Sequence, residues 1–461
     1  VLQKLFFIRL YIKIFKILKV LFENPVKRGM MWERKFKKSK EEVVEKAIEK
    51  GKEGVEEVKE IVEEVKEVVE EVKETKKAVK KFKKKIEKYL KKDLVDFEDI
   101  MTDGDLIEVK EHFKKYFKKQ FKKQLQDAVN LEMWTIPFYM AAMYSIKDRE
   151  SDAYQWIRTV INQEMLHLQS AANIANAFDV SVKIEPPVYE DDKVAHLAFK
   201  FNNNKEKLDY KERSFSIGPL DEQRINAMCL IELPDDAKKV ELILEALIGE
   251  YGSIGDFYQV LKFGASLLKD DIKGGINQVD SFSAFYRNMP NMVISESGAK
   301  GFEQVELLIN LITDQGEGQC KSEDTIPLVF QNTADDEKPD ADHFNKFKQI
   351  KDLMEETFDK IKTYDINNEK NNLETSVKLQ GILIKQFKTL TECLTDLFNG
   401  KNPENFFPVM ASVGGAIRNC WEHGVTPKFS EPTELKANVE GTSGLSKTTP
   451  LNEPREFSAN D

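Results

Sequence analysis

Trp156-Ile-Arg-Thr-Val-Ile-Asn-Gln-Glu-Met-Leu-His-Leu-Gln-Ser-Ala-Ala-Asn-Ile-Ala-Asn-Ala-Phe178 reads as one long helix. Apolar residues recur every three to four positions, and neither proline nor glycine interrupts them. Glu164 and His167 lie three apart, so this carboxylate and imidazole share one helical face. In helical bundles a Glu-x-x-His pair brings a hard oxygen donor and a nitrogen donor to one metal ion. With five histidines in 461 residues, one such pair can arise by chance. Its weight is set by the rest of the chain.

A carboxylate-bridged metal site needs further acids and a second imidazole from other helices, and such donors suit iron or manganese. Glu132 stands in the apolar stretch from Leu131 to Tyr144, where burying a charge is costly without a partner or an ion. A lysine partner would serve it equally well. Asp256 lies among apolar neighbours in Ser253-Ile-Gly-Asp-Phe-Tyr258, although it could be a surface acid near a helix start. Glu250 competes with it from a different face. Glu317, in Gln315-Gly-Glu-Gly318, reads either as a donor or as turn chemistry. His343 reads as a second imidazole or as a satisfied histidine at a helix start, with Asp340 three residues earlier. Tyr139, seven residues after Glu132, shares its face and is placed to donate a hydrogen bond to a ligand.

Helices are expected at about 106 to 144, 156 to 178, 221 to 232, 236 to 270, 300 to 314, 342 to 363, 373 to 399 and 404 to 423. Pro137 is expected to bend the first or start a new turn. Residues 193 to 218 are irregular, and no segment alternates like a sheet. The fold class is mainly α. Asp93 to Asp105 reads as a hinge, with Thr102-Asp-Gly-Asp105 as its turn.

The flanks differ from this body. Residues 55 to 75 repeat Val-Glu-Glu-Val-Lys-Glu, and Val55, Val58, Val62, Val65, Val69, Val72 and Val79 keep a coiled-coil spacing. A long charged helix follows from this, either self-associating through 55–79 or solvated on its own. Residues 1–22 place Arg9, Lys13, Lys16 and Lys19 on one side of an apolar helix, which suits a membrane surface better than a membrane span. Residues 431–461 are Thr-, Ser-, Pro- and Asn-rich and read as a disordered tail. The organisation expected is a basic segment at 1–29, a charged arm at 30–105, a helical domain at 106–430 and the tail at 431–461. A net charge of −10 argues against nucleic acid as partner. Cys229, Cys320, Cys393 and Cys420 are widely spaced, as in a reduced cytoplasmic protein.

Taken in order, several motifs resemble those of a ferritin-like domain family that includes the iminophenyl-pyruvate dimer synthases of bisindole pathways. They are Leu131-Glu-Met-Trp-Thr-Ile-Pro-Phe-Tyr139, Glu164-Met-Leu-His-Leu168, Ile231-Glu-Leu-Pro234 and Ser253-Ile-Gly-Asp-Phe-Tyr258. Downstream follow Gln315-Gly-Glu-Gly318, His343-Phe344, Leu397-Phe-Asn-Gly400 and Gly424-Val-Thr-Pro-Lys-Phe429. The resemblance spans residues 120 to 430. It implies a ferritin-like helical bundle with one or two iron ions, or manganese, on Glu132, Glu164, His167, Asp256, Glu317 and His343. Asp256 replaces a Glu expected in that motif, and Phe344 replaces a Tyr. The implied activity is oxidation of a small organic substrate, such as coupling of amino-acid-derived imines. The alternative is a structural protein that uses the bundle as a scaffold and the arm for assembly.

Overall fold

A computed structural model describes residues 107–190, 192–201, 205–234, 251–282, 286, 289–316, 326–356, 361–366 and 373–431. The basic segment 1–22, the charged arm with its seam at 55–79, the tail beyond 431, Cys320, Glu250 and Glu317 lie outside these residues. The described residues form nine α-helices: α1 (Ile107–Ser145), α2 (Asp152–Ala177), α3 (Lys205–Leu208), α4 (Glu222–Ile231), α5 (Ile254–Leu267), α6 (Gly298–Gln315), α7 (His343–Glu356), α8 (Leu373–Phe398) and α9 (Phe406–Glu422). Their only β pairings are isolated bridges. No helix among them is long and apolar enough to cross a membrane. The chain is mainly α, as its sequence indicates.

The helix quoted first is the axis of the fold. α2 pairs along its length with α1 and also meets α6, α7 and α8, so it is buried on almost every side. Helices enclosed in this way carry apolar residues all round. Three of the polar residues that α2 buries bond backbone outside its own helix. Asn173 Nδ2 donates to the carbonyls of Val279 and Met292 at 2.8 Å each, and its Oδ1 accepts from Val279 N at 2.9 Å. Asn176 Nδ2 reaches the carbonyls of Asn277 and Phe398 at 2.9 and 2.7 Å. Gln169 Oε1 accepts from the amides of Ser281 and Phe282. Buried peptide groups outside helices need such partners, and here side chains supply them.

Two expectations are corrected. Of the two outcomes expected at Pro137, the fresh start is overturned, because α1 runs through it. An internal proline costs about 3 kcal/mol in an exposed helix. Here packing of the buried Phe138, Tyr139, Ala141 and Ala142 overrides that preference. The single helix expected over 236 to 270 is broken before Ile254. Tyr251 turns its backbone to the 196–198 segment, with Ala198 N donating to its carbonyl at 2.7 Å. Lys207 Nζ then bonds the Gly252 carbonyl at 3.0 Å, and Ser253 Oγ caps α5 by accepting from Asp256 N. A serine N-cap starts the helix at Ile254, later than periodicity alone would begin it.

Candidate metal centre

Four helices bring their charged side chains to one buried point. Glu132 comes from the middle of α1, and Glu164 and His167 from the middle of α2. Glu232 is the C-cap of α4, and His343 is the first residue of α7. All five are at most 4% exposed, a severe environment for three carboxylates. α6 ends beside them, and Thr313, Gln315 and Gly316 are buried there.

The donor atoms sort into two overlapping sets. His167 Nδ1 lies 3.8 Å from Glu132 Oε2 and 3.8 Å from Glu164 Oε1. His343 Nδ1 lies 2.9 Å from the same Glu164 Oε1 and 3.5 Å from Glu232 Oε2. Glu164 therefore belongs to both sets, and the two rings stack with centroids 5.3 Å apart. Glu164, His167 and His343 offer ligand atoms all within 4.8 Å of one another.

Neighbouring residues orient the ligands. Tyr258 donates its hydroxyl proton to Glu132 Oε1, and Tyr139 does the same to Glu232 Oε1. Thr135 donates to Glu164 Oε2 at 2.6 Å. Each imidazole presents its other nitrogen to a glutamine: His167 Nε2 lies 3.1 Å from Gln315 Oε1, and His343 Nε2 lies 3.1 Å from Gln163 Oε1. Outer partners of this kind fix the angle and proton position of metal ligands.

The electrostatics are strained without a cation. Burial pushes Glu132 well above the usual carboxylate range, and the charge of Glu164 adds to the effect. Burial likewise raises Glu164, against the opposing influence of the adjacent His343. His167 falls well below its usual value through burial and the proximity of His343. For His343 burial also acts downward, yet Glu232 and Glu164 together outweigh it and hold the imidazolium up to about 9. Three acids and two imidazoles at one point carry excess negative charge and unused lone pairs. His343 Nδ1 is fully buried and lacks a properly aligned hydrogen bond although Glu164 Oε1 is 2.9 Å away. Oxygen and imidazole donors in this ratio fit hard or borderline divalent ions such as iron and manganese.

The sequence reading places Glu132, Glu164, His167 and His343 in one site, and the structure brings these four together. Tyr139 is also at the site, on Glu232 rather than on Glu132 of its own face. Asp256 is buried in the first turn of α5, but the residues of that turn lining the cavity are Ile254 and Gly255. The acid contributed to the cavity from beyond α2 is Glu232. Sequence reasoning missed it as a ligand, although a signal was present. Met228-Cys-Leu-Ile-Glu232 ends a helix whose last seven residues are all buried, and an acid closing such a run needs a partner. The remaining cavity wall consists of Ile254, Tyr258, Ile312, Thr313 and Gly316. A Cβ at Gly316 would stand 2.8 Å from the Ile312 carbonyl oxygen, so the close approach of its own helix end calls for glycine here, with His167 and Glu232 at an ordinary contact distance of 3.6 Å.

Comparison with known proteins bears on the same region. The family profile described as Ferritin-like matches residues 125–352, which contain all five of these candidate donors. A ferritin-like protein from Caulobacter vibrioides, known from a crystal structure, is 32% identical with a TM-score of 0.58. The match covers 68% of this chain and 98% of that one. No curated protein matches the chain.

Proposed function

This chain belongs to the ferritin-like family, and from that premise we propose that it is an iron-dependent oxidoreductase acting on a small organic substrate. Glu132, Glu164 and His167 would hold one ion and Glu164, Glu232 and His343 a second, with Glu164 shared. Manganese is the alternative metal. The observation that carries the reading is Glu164 Oε1, within 3.8 Å of one imidazole nitrogen and 2.9 Å of the other. Bound iron would supply one-electron redox chemistry and open coordination positions for an oxidant. The chain's own contribution is to orient the carboxylates through Tyr139, Tyr258 and Thr135 and to keep water out with Ile254 and Ile312. By resemblance, the reaction class is oxidative coupling of amino-acid-derived imines.

The test is elemental analysis after anaerobic loading with iron(II) or manganese(II), wild type beside Glu164→Ala/His167→Ala. Near-stoichiometric metal in the wild type and its loss from a folded double variant are expected, followed by oxidation of aromatic amino-acid-derived acids in a substrate screen. A wild-type protein that takes up neither ion would overturn the reading.

A pH dependence follows from His343. Its folded value of about 9 exceeds the ordinary 6.5, so the folded state holds this proton more tightly than the unfolded one. The stabilisation is complete below pH 6.5 and is lost as pH rises through about 9. The metal-free protein should therefore melt progressively lower between pH 6.5 and 9. Over the same window metal should bind more tightly, because an ion must displace that proton. Parallel thermal melts, metal-free and loaded, measure both trends. A metal-free melting temperature that rises across the window would contradict this assignment.

A further inference from the structure

Gln315, the last residue of α6, is fully buried and holds two partners at once. Its Nε2 donates to the Phe330 carbonyl at 2.7 Å, and its Oε1 lies 3.1 Å from His167 Nε2. The Phe330 carbonyl can only accept, so the amide cannot be turned round without setting oxygen against oxygen. Its oxygen must then face His167, and a nitrogen facing that oxygen must carry a proton. The lone pair of the ring is left on Nδ1, the nitrogen 3.8 Å from both Glu132 and Glu164.

We propose that Gln315 is a positioning residue that fixes His167 in the Nε2–H form, so that only Nδ1 can act as a ligand, and that the Phe330 carbonyl holds Gln315 to this task. The pairing at His343 lacks the same constraint. Gln163 Nε2 donates to the Thr333 hydroxyl at 2.9 Å, and a hydroxyl can donate as well as accept. The consequence for metal affinity rests on the reading of the site as a metal centre; the proton position does not.

The proton position is read in metal-free protein labelled with 15N-histidine, from long-range proton–nitrogen correlations of His167. In the wild type, Nε2 is expected to show the protonated and Nδ1 the unprotonated signature. Gln315→Leu, which cannot accept, should give a mixture of the two forms. Gln315→Glu, which still accepts but cannot donate to Phe330, should keep the wild-type form. If Gln315 merely anchored the Phe330 turn, Leu and Glu would fail alike, because both lose that donor. Titration with zinc alone should show about 10- to 100-fold weaker binding for Gln315→Leu than for the wild type. A wild-type His167 protonated on Nδ1, or a Leu variant with unchanged proton position, would overturn the proposal. Failure of zinc to bind the wild type would instead overturn the metal reading, with the proton position still decided by the spectra.

Discussion

Glu164→Gln should abolish metal uptake at both positions, whereas Glu132→Gln and Glu232→Gln should each weaken one. Glu164 Oε1 is the oxygen common to the two imidazoles, while Glu132 approaches only His167 and Glu232 only His343. An amide retains the size of the carboxylate but offers no negative charge to an ion. The same substitution should not lower the stability of the metal-free protein at neutral pH. Burial raises the Glu164 carboxyl, so its ionised form is disfavoured in the folded state, and that penalty grows as pH rises past the ordinary carboxylate range. Metal content per chain, with thermal melts of loaded and metal-free protein, checks both halves. Retention of two ions by Glu164→Gln would rule out a shared ligand. Loss of metal accompanied by collapse of the metal-free fold would show Glu164 to be a structural acid.

The largest effect on stability should come from a residue that is not itself a donor at this site. Lys346 Nζ lies 3.0 Å from Asp336 Oδ2, and the two side chains are 0% and 1% exposed. Asp336 also accepts from the backbone amide of Lys338 at 3.0 Å. Asp336→Ala would leave an ammonium ion buried without its counter-charge, a change that costs about 3–5 kcal/mol in comparable settings. The double variant Asp336→Ala/Lys346→Met should recover most of that loss, because an apolar side chain of similar length has no charge to solvate. Lys346 sits one turn beyond His343, and its amide bonds the Asp342 carbonyl at 3.0 Å. The single variant should therefore also loosen the start of α7 and weaken metal at the His343 position. Denaturant titration of both variants decides the matter; a single variant within about 1 kcal/mol of wild type would show that water reaches Lys346.

What could be read from the chain divides along physical lines. Helices announce themselves through periodicity, and a Glu-x-x-His spacing within one helix is visible without any knowledge of packing. Glu132 was legible because an acid in an apolar stretch is costly. Glu232 obeys the same rule, but it lies at the end of a short helix where a helix-end acid looks ordinary. His343 was legible as an imidazole at a helix start, yet its partner Glu232 is 111 residues away and no local pattern links them. Asp256 shows the converse. Its apolar neighbours are real, but register within the first turn of α5 gives the cavity Ile254 and Gly255 instead. The break before Ile254 was only half legible: the Ser253 cap is local, but the Lys207 bond to the Gly252 carbonyl is a tertiary fact. The glutamines on the imidazoles had no signal at all, since glutamine in a helix is unremarkable until its partner is known.

The five donors are spread along the chain from residue 132 to residue 343, on helices that meet through side-chain packing and a few side-chain hydrogen bonds. An ion at this point is a cross-link with no covalent bond: it ties the ends of α4 and α7 to the middles of α1 and α2. Loops of that length are expensive to close entropically, so the constraint would fall mainly on the unfolded chain. Chelation would then act like reduction of a disulfide, loosening α4 and α7 before the α1–α2 pair, and a protease would report the order in which they let go.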